Sequence, residues 1–236
     1  MPPPVYKAPP PPVYNWTGCY INGGVGYGMW KQDHYGEVGT LVETPTVSTG
    51  GEGWLGRVGG GCDYQFRAFD SNFVIGAFGD YDFMGLSGSF QEPFTRDVGN
   101  ENESGAWAVG ARLGYLVTPT LLAFFDGGYT QARFDQINLS SFSGVSEGYI
   151  PAQNYSGWFL GGGTEYALTW LPVQGLFWRN EYRYASYQSA DVPVLTPAGA
   201  PFTVTDRVVG PLSQHMQKDV QTITTSLVWR FNFGGN

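Results

Sequence analysis

The chain contains no apolar run of about 18 residues, so it has no transmembrane helix. Apolar residues do not recur at intervals of three and four, so amphipathic helices are excluded as well. Charged residues make up only 14% of the sequence, against about 25% in ordinary soluble domains. The 12 lysines and arginines are outnumbered by 20 aspartates and glutamates, a net charge of −8. That balance excludes a nucleic-acid partner, which requires a basic surface. The only two cysteines among 236 residues are isolated from one another and do not make a zinc site. No segment combines a cationic start with an apolar stretch, so no signal peptide is expected within these residues.

Glycine and aromatic residues are abundant instead, at 35 residues and 17%. They are arranged with a period of two. In the stretch YNWTGCYINGGVGYGMW, residues 14–30, Cys19, Ile21, Val25, Tyr27 and Met29 alternate with glycines, Tyr20 and Asn22. Such alternation is the signature of a β-strand with two unlike faces. It recurs over residues 54–66, 73–83, 107–115, 121–133, 158–167 and 176–184, and again from Thr222 to Phe231. The segments are close to the 9–11 residues that a tilted strand needs to cross a bilayer. Their connections alternate in length. RAFDSN, LVTPTL and TWLPVQG are short, whereas residues 31–51, 84–104, 135–154 and 188–214 are long and polar. Short turns on one side and long loops on the other form the layout of an outer-membrane barrel.

The predicted fold is therefore all-β: a closed, antiparallel, up-and-down, eight-stranded transmembrane β-barrel spanning residues 16–236, with both termini in the periplasm. Its apolar faces look outward into lipid. Aromatics at the strand ends form two girdles: Tyr64, Phe66, Phe73, Tyr115, Tyr166 and Phe231 near the short turns, and Trp54, Phe83, Trp107, Tyr129, Trp158 and Tyr184 near the long loops. The alternative is a soluble sandwich with the same residues in its core. Too few lysines and glutamates lie on the polar faces for that.

The inward faces carry Arg57, Arg112, Arg179, Arg183 and Arg230, with Asp63, Asp80, Asp82, Asp126, Glu165 and Glu181. An eight-stranded barrel is just wide enough to be filled by its side chains, and a stranded buried charge costs several kcal/mol. The expectation is an interior ion-pair network that plugs the barrel; a narrow porin-like channel is the alternative. Asp80 and Asp82 are spaced like a calcium ligand pair, but arginine partners suit them better. The whole net charge falls in the four long connections. Acidic loops of this kind either meet anionic lipopolysaccharide through divalent cations or keep the surface soluble.

Cys19 and Cys62 fall on the outward face of consecutive strands, near their short-turn ends. Antiparallel pairing sets them opposite each other, so a disulfide is expected, with two free thiols in lipid as the alternative. His34 follows the first strand and His215 precedes the last, and barrel closure makes those strands neighbours. Together with Asp33 they form a weak candidate for a rim metal or catalytic cluster, against the plainer reading of exposed loop histidines. No Ser-His-acid set is otherwise legible, so neither enzymatic activity nor a metal or cofactor is expected. Residues 1–15 are proline-rich and cannot join a ladder. They read as a separate polyproline II segment, either a linker or a periplasmic binding element.

The stretches KAPPPPVYNWTGCYINGGVGYG, GWLGRVGGGCDYQF, FVIGAFGDYDF, ARLGYLVTPTLLAFFDGGYT, GWFLGGGTEYAL and NEYRYASY resemble the successive strands of small outer-membrane barrels of alphaproteobacteria, often called outer-membrane immunogenic proteins. The resemblance covers nearly the whole chain. It implies an OmpA-like, surface-exposed Gram-negative barrel that is not an enzyme and supports the envelope. Implied partners are outer-membrane lipids, lipopolysaccharide and, for some members, peptidoglycan reached through an Ala-Asp start; with Met1 first here, that attachment point is expected to be absent or trimmed. SLVWRF is similar to the closing strand read by the barrel-assembly machinery, with Trp229 and Phe231 or Phe233 as the signal aromatics. Phe78 departs from the pattern, because such strands often carry an acid there.

Overall fold

The structure is a computed structural model, and it describes residues 15–39, 41–42, 44–205 and 209–231. The proline-rich segment up to residue 14 and Phe233 lie outside the described residues. In chain order the strands are β1 (Gly18–Val38), β2 (Leu41–Val42), β3 (Val47–Ala68), β4 (Ser71–Gln91), β5 (Val98–Thr118), β6 (Leu121–Phe134), β7 (Ile137–Ser140), β8 (Ser146–Ile150), β9 (Gln153–Ala167), β10 (Leu176–Tyr187), β11 (Ala190–Pro193), β12 (Thr203–Thr205) and β13 (Val209–Phe231). Eight of them, β1, β3, β4, β5, β6, β9, β10 and β13, follow one another as antiparallel neighbours. The last pairs back onto the first from Cys19↔Phe231 to Val38↔Leu212, closing the wall. The five short strands attach at the long-loop end. At the other end β3 and β4 are joined by a two-residue turn. Phe69 and Asp70 both take positive φ there, 49° and 57°, as the twist of a tight hairpin demands.

The wall is much taller than the sequence pattern suggests. The four long connections are not polar loops: β1, β4, β5 and β13 run into three of them, and β7 and β8 occupy much of the fourth, residues 135–154. The alternation does not stop at the aromatic girdle but changes hands. On β13, Ile223, Leu227 and Trp229 point outward and are exposed, whereas Leu212, Met216 and Val220 point inward and are buried. On β4, Ile75, Tyr81 and Phe83 face out and Leu86 and Phe90 face in, with a bulge between Phe83 and Leu86. A strand wetted by hydrocarbon must be apolar outside; the same strand emerging into water must be apolar inside. The switch therefore marks one edge of the membrane, at the level of Trp54, Phe83, Trp107, Tyr129, Trp158 and Tyr184.

No second sheet covers the outward side chains. Val25, Phe125, Leu160 and Ile223 are 58–80% exposed, which rules out the sandwich. Inside, a small apolar cluster (Trp16, Tyr20, Val74, Leu122, Phe124, Phe177 and Val228) closes the short-turn end. A larger one, including Val38, Phe90, Phe134, Ile137, Ile150, Val194, Leu212 and Met216, fills the long-loop end. The charged side chains lie between them.

Cys19 and Cys62 are register partners on β1 and β3 and are joined by a disulfide on the outward face, with a sequence separation of 43. A loop of that size constrains the unfolded chain by at most about 4 kcal/mol. Cys62→Ser, or reductant, is expected to lower the temperature at which the folded band disappears from a semi-native gel. An unchanged transition would show that the ladder alone holds these strands in register.

Candidate functional site

The site is the barrel interior, which is stacked in layers. At the short-turn mouth the Trp16 indole, fully buried, donates from Nε1 to the Pro119 carbonyl at 3.3 Å. It packs on Phe177 with ring centroids 4.8 Å apart and lies 4.7 Å from the Arg230 guanidinium.

Above it Glu165 accepts hydrogen bonds from Arg112 at 3.1 Å, Arg179 at 2.9 Å and Arg230 at 2.7 and 2.8 Å. Asp63 pairs with Arg112 and, at 2.6 Å, with Arg230. Two acids thus serve three arginines. The Tyr20 ring lies 4.6–5.0 Å from all three guanidiniums, and its π face offsets part of the excess positive charge.

The next layer is acidic. Arg57 holds Asp82 with two bonds of 2.6 and 2.7 Å and reaches Glu181 at 2.7 Å. Arg183 holds Asp80 at 2.8 and 2.9 Å, reaches Glu181 at 2.8 Å and lies 4.4 Å from the Phe159 ring. Among the described residues neither oxygen of Asp126 has a hydrogen-bond partner. Glycines opposite the acids make room for them: a Cβ at Gly76 would collide with the Asp63 carboxylate, and one at Gly161 with that of Asp126.

All eleven charged residues expected inside the barrel do point inward, and Asp80 and Asp82 have arginine partners, but Asp126, expected among the ion pairs, makes none with the described residues. Phe78 uses its inward position to pack against Phe159 at 6.0 Å, with the Arg183 guanidinium 5.7 Å from its ring.

Further buried charges lie in the taller wall beyond the membrane edge, the glutamates among them where sequence reasoning placed a loop. Lys218 is fully buried and pairs with Glu101. Its ammonium sits 4.1 Å from the ring centre of Phe134, 5.0 Å from that of Tyr155 and 5.5 Å from that of Trp30, an aromatic cage. Burial pushes the Lys218 ammonium down and the Glu101 carboxyl up, each offset by the other's charge. Glu103 is also fully buried, and neither of its oxygens is hydrogen-bonded among the described residues. Burial, assisted by Asp82, pushes it up to about 8. Glu92 is buried too, accepting a bond of 2.6 Å from Gln214. These glutamates do not form the acidic outer surface expected of residues 84–104, because the inward face continues through them.

The histidine pair is corrected as well. β1 and β13 are neighbours, but His34 and His215 point to opposite sides of the wall. His34 is buried inside against Phe90, with ring centres 4.7 Å apart, and Nε2 is 3.1 Å from the Gln91 carbonyl oxygen; burial lowers its pKa. His215 lies outside, stacked on Tyr35 and bonded to Asp191 at 2.5 Å. Asp33 instead bonds Lys31 and Ser48. No rim cluster forms.

Among the charged layers the void beside Asp80, Asp82 and Arg183 is about 20 Å³, room for about one water molecule. A closed antiparallel ring that is apolar outside and ion-paired inside defines a transmembrane β-barrel. The profile of the outer membrane protein beta-barrel domain family matches residues 5–231, and the chain belongs to that family. No curated protein sequence matches it. Among solved structures it is similar to the outer membrane protein OprG from Pseudomonas aeruginosa, at 12% identity and a TM-score of 0.54, covering 91% of this chain and 97% of that one. It is also similar to Neisserial surface protein A, at 14% identity and a TM-score of 0.39, over 91% and 98% of the two chains.

Proposed function

We propose that this outer-membrane barrel is a non-conducting, non-enzymatic structural element of the envelope. It is oriented with both termini in the periplasm and the tall end outside the cell, and it belongs to the outer-membrane immunogenic subtype that its strand sequences resemble. The single observation that carries this reading is the filled interior. Trp16 closes one end, the apolar cluster around Phe90 and Leu212 closes the other, and paired charges occupy the space between. A hydrated pore would solvate these charges with water instead of with one another.

The partners follow from the same surfaces. The outward apolar belt meets outer-membrane lipids, and the tall end stands among lipopolysaccharide. Outward-facing Trp229, 4.8 Å from the ring of Phe231, supplies the aromatic signal for the barrel-assembly machinery. Contact with peptidoglycan would fall to the residues that precede Trp16.

Planar-bilayer recording of the refolded protein tests the reading. No conductance steps are expected at moderate voltage. Reproducible steps that vanish when the protein is omitted would establish the channel instead.

A further inference from the structure

On the outer face above the membrane edge, the side chains change from aromatic to amide and hydroxyl. β3 and β4 are paired as far as Gly51↔Gly88 and then part. β4 stays on β5 up to Gln91↔Val98, and β7 joins β5 at Val98↔Ser140. The parting opens a cleft of about 790 Å³ on the outside of the wall. Ser89, Gln91, Asn100, Asn102 and Asn138 present their side chains there, and Phe142, 77% exposed, stands at its edge on the β7–β8 turn.

Three properties of the cleft select a ligand. First, no charged side chain lines it, although this end of the barrel carries most of the chain's acids; a phosphate, sulfate or ammonium group has no counter-charge. Second, it has hydrogen-bonding capacity to spare. The side chains of Ser89, Gln91, Asn100 and Asn102 make no hydrogen bond to other described residues, while Asn138 accepts one from Gln136 at 2.7 Å. A carboxamide offers a donor and an acceptor side by side, the pattern that binds two adjacent hydroxyls. Ser89 and Asn100 are register partners, so their groups form a cross-strand pair on one face. Third, Phe142 gives the cleft one exposed apolar ring at its edge. A bed of neutral amides beside one exposed aromatic ring fits a ring-shaped ligand with hydroxyls on its edge and C–H bonds on its face.

We infer that this cleft binds an uncharged oligosaccharide, with the amides of β4, β5 and β7 on its hydroxyls and Phe142 stacked on a sugar face. Its position outside the cell rests on the orientation proposed above, but binding by the purified barrel does not, and neither does it depend on whether the barrel conducts. Two sources present this chemistry: the polysaccharide of lipopolysaccharide in the same membrane, and the glycans of another cell.

The test is calorimetric titration of the whole chain in detergent micelles. One arm uses delipidated polysaccharide from the producing bacterium, and the other a panel of neutral oligosaccharides. Saturable binding is expected in at least one arm. Phe142→Ala combined with Asn100→Ala should weaken it about tenfold or more. Phe69→Ala, which alters an aromatic side chain 96% exposed at the opposite end, should leave it unchanged. No binding to any neutral saccharide at millimolar concentration, or equal binding by the cleft variant, overturns the inference. Binding to the first arm alone assigns the cleft to the membrane's own polysaccharide, and binding to the second alone to foreign glycans.

Discussion

Glu165→Ala is expected to destabilise the barrel more than any other single interior substitution, by at least about 3–5 kcal/mol. The Glu165 carboxylate is fully buried, and the guanidiniums of Arg112, Arg179 and Arg230 converge on it. Asp63 is the other acid in that layer, bonded to Arg112 and Arg230. Without Glu165, three buried cations share one carboxylate and Arg179 loses its close partner. Tyr20 is the remaining offset, and a ring face contributes about 2 kcal/mol at most to a desolvated cation. An exposed pair provides the contrast. Arg67 and Asp70 lie 3.3 Å apart on the short turn with side chains 72% and 98% exposed, so Asp70→Asn, which removes the charge but keeps a residue that tolerates the positive φ, should have little measurable effect.

Urea unfolding in micelles, followed by tryptophan fluorescence, reads both variants. The pair Glu165→Gln and Arg179→Met removes one charge of each sign and restores the layer's balance. It should recover part of the loss, which a double-mutant cycle reports as coupling. If Glu165→Ala unfolds at the wild-type urea concentration, water rather than arginine solvates the interior, and the plugged reading fails with it.

The parts of this network that the sequence revealed, and the parts it hid, have one physical cause. Arg57, Arg112 and Arg183 were legible because each alternates with outward apolar neighbours, such as Val58, Leu113 and Tyr182. Inside the membrane belt, polar side chains mean inward. Lys218, Glu101 and Glu103 obey the same two-residue period, but beyond Val220 on β13, and beyond the girdle residue Trp107 on β5, the apolar residues also face inward. Charge no longer identifies the face there, and residues 84–104 and 188–214 look like loops. Following the parity of β13 upward from Arg230 through Thr222, Lys218, Met216 and Leu212 would have carried the wall to its true height. The histidines fail by the same count. His34 shares the parity of Trp30 and Gln32, whereas His215 shares that of Ile223. Trp16 carried no signal, because a residue beside a proline tract shows its role as a stopper only when the barrel is closed beneath it.

The second large effect concerns Glu103 and takes the form of a pH dependence. In the unfolded chain this carboxyl titrates near 4.5, and in the barrel burial holds it up to about 8. Below the lower value both states are protonated and the residue contributes no pH dependence. Between the two values the unfolded chain has released its proton while the folded barrel retains it. Stability therefore falls as pH rises, by about 1.4 kcal/mol per unit. Above about 8 the barrel holds an ionised, unpartnered carboxylate, and the loss levels off on the order of 5 kcal/mol. Lys218 does not rescue it, because its ammonium is already committed to Glu101. Glu103→Gln removes the titration but keeps the shape. It should unfold in urea much like the wild type at pH 4.5 and at a clearly higher urea concentration at pH 8.5. The exposed Glu147 serves as control, and Glu147→Gln should track the wild type throughout. Parallel curves for Glu103→Gln and the wild type across this range would mean that Glu103 is hydrated or paired in the folded barrel, and that the space above the ion-pair layers is wet rather than sealed.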